Sequence, residues 1–68
     1  MINTLLLKSM MVAKGHTNKT LSANLGLSQN AFSAKINNKA RMTLDEMRGI
    51  CQELEIQDIN LKCQIFLL

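Results

Sequence analysis

The sequence predicts an all-α domain of four to five short helices, followed by a short extended C-terminal tail. The chain has only 68 residues, which is enough for one hydrophobic core but not for two. Hydrophobic residues make up 47% of the chain and aromatic residues only 3%, so we expect a largely aliphatic core. The chain contains no proline. Apolar residues recur three or four positions apart behind residues that cap helices. We therefore expect one domain, residues 1–68.

The first two helices are predicted by apolar spacing and by the glycines that follow them. Residues 3–13 place apolar side chains on one broad helical face, and Gly15 can end this helix in a left-handed conformation. These side chains are Leu6, Leu7, Met10, Met11 and Ala13. Thr17 or Asn18 can cap a second helix, in which Leu21 and Leu25 lie four apart. Gly26 follows at once, so this helix has only about two turns.

Two further helices are predicted by their N-terminal caps. Ser28 can cap a third helix, whose Phe32 and Ile36 face inward, and a turn at 37–39 ends it because Asn tolerates left-handed backbone. Thr43 and Glu46 have the spacing of a capping box, which begins a fourth helix. Its predicted apolar stripe is Leu44, Met47, Ile50 or Cys51, and Leu54. The residues expected to meet in the core are Leu25, Phe32 and Leu54.

The tail, at about 58–68, has a different pattern. Apolar residues at 59, 61, 63, 65 and 67 alternate with mostly polar ones, and a period of two favours an extended strand. Ile59, Cys63 and Phe66 would also suit a helix. We favour the extended form. An exposed apolar strand is normally covered by a partner, so the predicted association surface is Ile65, Phe66, Leu67 and Leu68.

Charge is distributed unevenly along the chain. Residues 1–41 contain six Lys and Arg and no acidic residue, whereas residues 42–68 contain two basic and five acidic residues, a net charge of −3. A basic segment with no acid to cancel it attracts polyanions and accelerates association with them. Nucleic acid is therefore the leading class of partner.

Two short helices joined through Gly26 have the arrangement of a helix-turn-helix, in which the second helix can enter the major groove. From Leu7 to Ile56 the chain resembles the Cro/repressor family of phage and bacterial regulators, the xenobiotic-response-element type of helix-turn-helix. This resemblance implies a lambda-repressor-like fold with its helix-turn-helix unit at about 17–37. The matching residues are Leu7, Met10, Gly15, Thr17, Leu21, Leu25-Gly26-Leu27-Ser28, Phe32, Asn37-Asn38-Lys39, Thr43-Leu44 and Leu54-Glu55-Ile56.

The sequence departs from this family at three places. Ser22 stands where Ala is usual, so its hydroxyl needs a carbonyl partner. Met11 and Ile36 occupy the positions of an Arg–Glu pair found in many relatives, and we expect an apolar contact there. Asn38 stands where Gly is usual in the turn, which Asn tolerates because it visits left-handed backbone.

The resemblance also implies which residues contact DNA. The start and exposed face of the third helix, residues 28–37, are expected to read bases through Gln29, Asn30, Ser33 and Ala34. The expected phosphate contacts are Asn18, Lys19, Ser28, Lys35, Asn38, Lys39 and Arg41.

Two functions are compatible with these features. The first is a sequence-specific DNA-binding transcriptional regulator of phage Cro/repressor type, whose partners are a double-stranded DNA operator and a second subunit, in a homodimer or in a heteromer with a phage repressor. The alternative is an antirepressor or modulator that keeps the fold but binds a partner repressor. It is favoured by a third helix with only one Lys and no Arg and by the apolar tail.

Other functional classes have little support in the sequence. One histidine and two cysteines do not make up a four-ligand zinc site, and we expect no metal or cofactor. His16 has no catalytic partners nearby and the three glycines are scattered, so neither an enzyme nor a small-molecule substrate is expected. Apolar runs are too short to span a membrane, and a signal peptide does not fit. We expect a cytoplasmic protein.

Overall fold

Five helices connected by short turns make up the computed structural model, which describes residues 1–67. They are α1 (Thr4–Ala13), α2 (Asn18–Asn24), α3 (Gln29–Ile36), α4 (Leu44–Glu53) and α5 (Ile59–Phe66). The described residues contain no strand. The all-α prediction is confirmed, and the prediction of an extended tail is wrong.

As a helix, the tail buries its two adjacent large residues together in one core. Ile65 and Phe66 are both buried, whereas a strand would point them to opposite faces. Asp58 caps α5 by accepting a hydrogen bond from the Asn60 backbone N–H at 2.9 Å. The Asn3 backbone N–H donates to the Ile65 carbonyl at 2.7 Å and fastens the end of α5 to the start of α1.

The same burial corrects the predicted association surface. Ile65 is 0% exposed and Phe66 is 3% exposed, because both lie in the protein's own core. Neither is available to a partner of the folded chain. Leu67 is exposed, and Leu68 lies outside the described residues.

Helix starts agree with the predicted caps. Thr17, Ser28 and Thr43 each accept a hydrogen bond from a backbone N–H in the first turn of the helix that follows. Asn3, for which no cap was predicted, caps α1 in the same way. The capping box of Thr43 and Glu46 is confirmed. Thr17, rather than Asn18, caps α2, and it forms a second, unpredicted capping box with Thr20. Because these caps are local, short-range sequence patterns could reveal them.

The core is formed by residues from all five helices and the connecting turns. Phe32 and Leu54 are fully buried as predicted, and Leu25 is half-buried and packs against the core. A Cβ on Gly49 would lie 2.6 Å from Leu25 Cδ2, so a glycine lets α2 and α4 approach closely here. Two predicted apolar positions are wrong, since Leu44 and Ala13 are exposed.

The three departures from the family are accommodated as expected. Buried Ser22 donates its hydroxyl hydrogen bond to the Lys19 carbonyl at 3.1 Å, so the buried oxygen has a partner. Met11 and Ile36 both lie in the apolar core cluster. Asn38 adopts the left-handed conformation, with φ of 63°.

Candidate nucleic-acid interface

The helix-turn-helix unit consists of α2, the turn at 25–28 and α3. Gly26 adopts φ of +71°, a conformation that glycine reaches without steric cost. The Leu27 backbone N–H donates to the Ser22 carbonyl at 2.9 Å, which redirects the chain into α3. Among the described residues, α2 and α3 make the most extensive contact between two helices. This packing fixes the orientation of α3.

The two faces of α3 differ in exposure. Phe32 and Ile36 are fully buried and attach the helix to the core. Gln29 and Asn30, in the first turn, are exposed. Ser33 and Ala34, also predicted to read bases, are half-buried. The structure therefore presents the two amide side chains most openly.

Ser28 caps the N-terminal end of α3. Its hydroxyl oxygen accepts from the Ala31 backbone N–H at 3.1 Å. Other N–H groups of the first turn have no intrahelical acceptor, and helix N-termini of this kind favour anions. Ser28 itself is exposed, so a phosphate could reach this end of the helix.

Some of the predicted phosphate contacts are exposed to solvent, whereas others bind groups within the protein. Lys19, Lys39 and Arg41 are exposed, and Asn18 is half-buried at the start of α2. The Lys35 ammonium, by contrast, forms an ion pair with Glu46, and both side chains are less than one-fifth exposed. Three predicted cations are therefore open to a ligand, and the fourth is held within the protein.

Asn38 is also engaged internally. Its Oδ1 accepts from the Ile2 backbone N–H at 2.7 Å, and its Nδ2 donates to the Ile2 carbonyl at 2.9 Å. The Thr4 hydroxyl donates to the Ile36 carbonyl at 2.5 Å beside this contact. The N-terminal segment thus holds the turn between α3 and α4, which carries Lys39 and Arg41. The sequence analysis missed this contact because its partners lie far apart in the chain.

Glu46 connects α3 to α4. One carboxylate oxygen accepts from the Thr43 backbone N–H at 2.8 Å, and the other accepts from Lys35. The hydrogen bond from Lys35, followed by that from Thr43, lowers the pKa of the Glu46 carboxyl from its ordinary value. A single carboxylate therefore completes the capping box of α4 and anchors the last turn of α3.

The lowered pKa of Glu46 predicts a pH dependence of stability. Because its pKa is lower in the folded than in the unfolded chain, ionised Glu46 stabilises the fold above the ordinary pKa of a glutamate, about 4.3. This contribution is lost as the pH falls through the lower, folded value. We expect the Tm of the wild type to exceed that of Glu46→Gln at pH 7, and the difference to shrink in acid. Lys35→Gln should reproduce this behaviour, whereas a difference that stays constant down to pH 3 would contradict it.

The structure also bears on metal binding and on membrane insertion. Within residues 1–67, no group of three or more His, Cys, Asp or Glu side chains is arranged to hold a metal ion. The thiols of Cys51 and Cys63 are free, and burial raises the pKa of Cys51. None of the helices in this part of the chain has the length and apolar character needed to cross a membrane.

Comparison with protein families identifies the domain. The family described as the Cro/C1-type helix-turn-helix DNA-binding domain matches residues 6–59, a range that begins within α1, includes α2, α3 and α4, and ends at the first residue of α5. Comparisons with curated proteins and with solved structures give no match. The family is one of regulatory DNA-binding domains, which agrees with the expected class of partner. Because the match extends over most of its length, the chain belongs to the Cro/C1-type helix-turn-helix family of DNA-binding domains.

Proposed function

We propose that this protein is a sequence-specific regulator of transcription, of phage Cro/repressor type, that places α3 in the major groove of its operator. One observation carries the proposal: α3 is attached to the core through Phe32 and Ile36 while its first turn exposes Gln29 and Asn30. In helix-turn-helix proteins the N-terminal residues of the second helix contact base edges. The buried attachment and the exposed amides fit that role.

The side chains of α3 favour particular bases. The amides of Gln29 and Asn30 can each form two hydrogen bonds with an adenine, through its N6 and N7. The Ala34 methyl can contact a thymine methyl, and the Ser33 hydroxyl can bond with either type of base pair. We therefore expect A·T pairs at the positions read by the first turn of α3.

Phosphate binding is assigned to three places along the helix-turn-helix unit. We place Asn18 and Lys19 at the start of α2, Ser28 at the start of α3, and Lys39 and Arg41 after α3 on the DNA backbone. Lys35 and Asn38 receive another role, because their polar groups already bind Glu46 and Ile2. They position the turn that carries Lys39 and Arg41.

The proposed regulator acts as a homodimer. A two-fold dimer presents two copies of α3 to half-sites one helical turn apart, about 34–36 Å. The alternative, an antirepressor or modulator joined to a phage repressor in a heteromer, was favoured partly by an apolar tail open to a partner. Burial of Ile65 and Phe66 removes that support, so we favour direct DNA binding.

Salt dependence of binding tests this proposal. If Lys19, Lys39 and Arg41 each neutralise a phosphate, a plot of log K against log salt should have a slope of roughly −3 per subunit. Lys39→Ala should weaken binding on all duplexes alike and reduce the slope by about one per subunit. The duplex is one selected from a random pool, and affinity is measured by fluorescence anisotropy.

Lys8→Ala is the matched control, because Lys8 is exposed on α1, outside the helix-turn-helix unit. It should leave the slope unchanged. A flat salt response of the wild type, or failure to enrich any sequence from the pool, would overturn the proposal. Enrichment that appears only after a repressor is added would support the modulator instead.

A further inference from the structure

A cavity of about 530 Å³ lies between the N-terminal segment, the turn after α3 and the end of α5. Its apolar wall includes Ile2, Met42 and Phe66, which are all less than one-tenth exposed. Pockets for small molecules commonly have volumes of about 300–1,000 Å³ and are lined mainly by apolar side chains, with a few polar groups that orient the ligand. The size and the apolar wall of this cavity suit a small organic molecule.

The charged side chains that line the cavity are all cations, namely Lys35, Lys39 and Arg41. Within residues 1–67, no acidic side chain lines it. The Lys35 ammonium is already paired with Glu46, whereas Lys39 and Arg41 are exposed. An Arg guanidinium can donate two parallel hydrogen bonds to a carboxylate or a phosphate group. The cavity therefore offers two exposed cations to an anionic ligand.

Asn38 joins two walls of the cavity. Its side chain accepts from the Ile2 backbone N–H at 2.7 Å and donates to the Ile2 carbonyl at 2.9 Å. Both residues line the cavity, so internal hydrogen bonds hold its shape before any ligand enters. A preformed site binds more tightly than one that must be ordered during binding, because less conformational entropy is lost.

We propose that this cavity binds a small organic anion, with a carboxylate or phosphate head on Lys39 and Arg41 and an apolar body against Ile2, Met42 and Phe66. An inorganic anion or a DNA phosphate would leave this apolar wall uncovered, so the ligand needs an apolar body. The consequence for DNA rests on the proposed function. Lys39 and Arg41 are also proposed phosphate contacts, so a bound ligand would compete with the operator for both cations.

Binding of defined probes to the protein without DNA tests the site itself. The probes are octanoate and octyl phosphate, which share an apolar body and differ in the head group. We expect at least one of them to bind about tenfold more tightly, or better, than acetate, which is little more than the head, and than octanol, which lacks the charge. Isothermal titration calorimetry measures the affinity, and NMR shifts of backbone amides should concentrate at residues 38–42.

Arg41→Gln should weaken binding of the same probe about tenfold, the loss expected for one hydrogen bond to a charged group. Arg48→Gln is the matched control, because it removes the same charge from a side chain that is 70% exposed on α4. Arg48 lines a different groove, beside α4 and α5, so this variant should bind the probe as the wild type does. Circular dichroism should show that both variants remain helical.

Competition with DNA is measured in the anisotropy assay. The bound probe should weaken binding to the selected duplex and reduce the slope of log K against log salt by up to about two per subunit, because two cations are neutralised. Acetate at the same concentration controls for ionic strength.

The proposal is overturned if neither probe binds more tightly than acetate and octanol, if Arg48→Gln rather than Arg41→Gln loses the probe, or if the bound probe leaves the affinity for the duplex unchanged. The two proposals fail in distinguishable ways. A protein that binds its duplex but neither probe contradicts the cavity proposal alone. A protein that binds a probe as expected but selects no duplex contradicts the proposed function and leaves the assigned site.

Discussion

Deleting residues 64–68 is expected to unfold the domain. The deletion removes Ile65 and Phe66, which are 0% and 3% exposed, together with the carbonyl that accepts from the Asn3 backbone N–H. Loss of a buried Ile or Phe side chain costs about 2–5 kcal/mol, so losing both approaches or exceeds the total stability of a small domain, roughly 5–15 kcal/mol. The measurement is the helical circular dichroism signal during a thermal melt.

Leu67→Ala is the matched control for this deletion, because Leu67 is exposed and its truncation removes little buried surface. It should melt within a few degrees of the wild type. If the truncated chain instead kept a cooperative, helical melt and lost only its ability to associate, the C-terminal residues would be an association surface, as the sequence pattern suggested.

Phe32→Ala is expected to leave the domain largely unfolded at room temperature. Phe32 is the largest of the fully buried side chains, and it attaches α3 to the rest of the core. Replacing a buried Phe by Ala costs about 3–5 kcal/mol, because transfer free energy is lost and a cavity remains. Urea denaturation monitored by circular dichroism gives the change in the free energy of unfolding.

Gln29→Ala in the same helix is the control for Phe32→Ala. Gln29 is exposed, so its truncation should change the free energy of unfolding by less than about 0.5 kcal/mol. Comparable losses in the two variants, or a native-like urea midpoint for Phe32→Ala, would contradict the assignment of the two faces of α3.

The helix-turn-helix unit was predictable because its determinants are local. Thr17 and Ser28 each begin a helix through a contact three residues away, and Gly26 supplies the left-handed turn. Such short-range patterns are visible in the sequence alone. The tail was not predictable in this way, because its apolar alternation suits a strand and its actual conformation depends on packing of Ile65 and Phe66 against distant residues.

The candidate interface could be predicted only in part. Exposure of Gln29 and Asn30 follows from the helical spacing of Phe32 and Ile36 on the opposite face. The internal roles of Lys35 and Asn38 depend on Glu46 and Ile2, which are 11 and 36 residues away in sequence. No local pattern reveals these partners, so the sequence alone could not show that both side chains are engaged within the protein.

The most direct measurement of the central claim, that α3 reads bases, compares wild type and Gln29→Ala on a selected duplex and its single-base variants at fixed salt. We expect Gln29→Ala to lose about 1–3 kcal/mol on the selected sequence and to lose its preference at one base pair, with preferences elsewhere retained. Affinity for an unrelated duplex should be the same for both proteins. Unchanged affinity and unchanged preference at every base pair would contradict the placement of the first turn of α3 in the major groove.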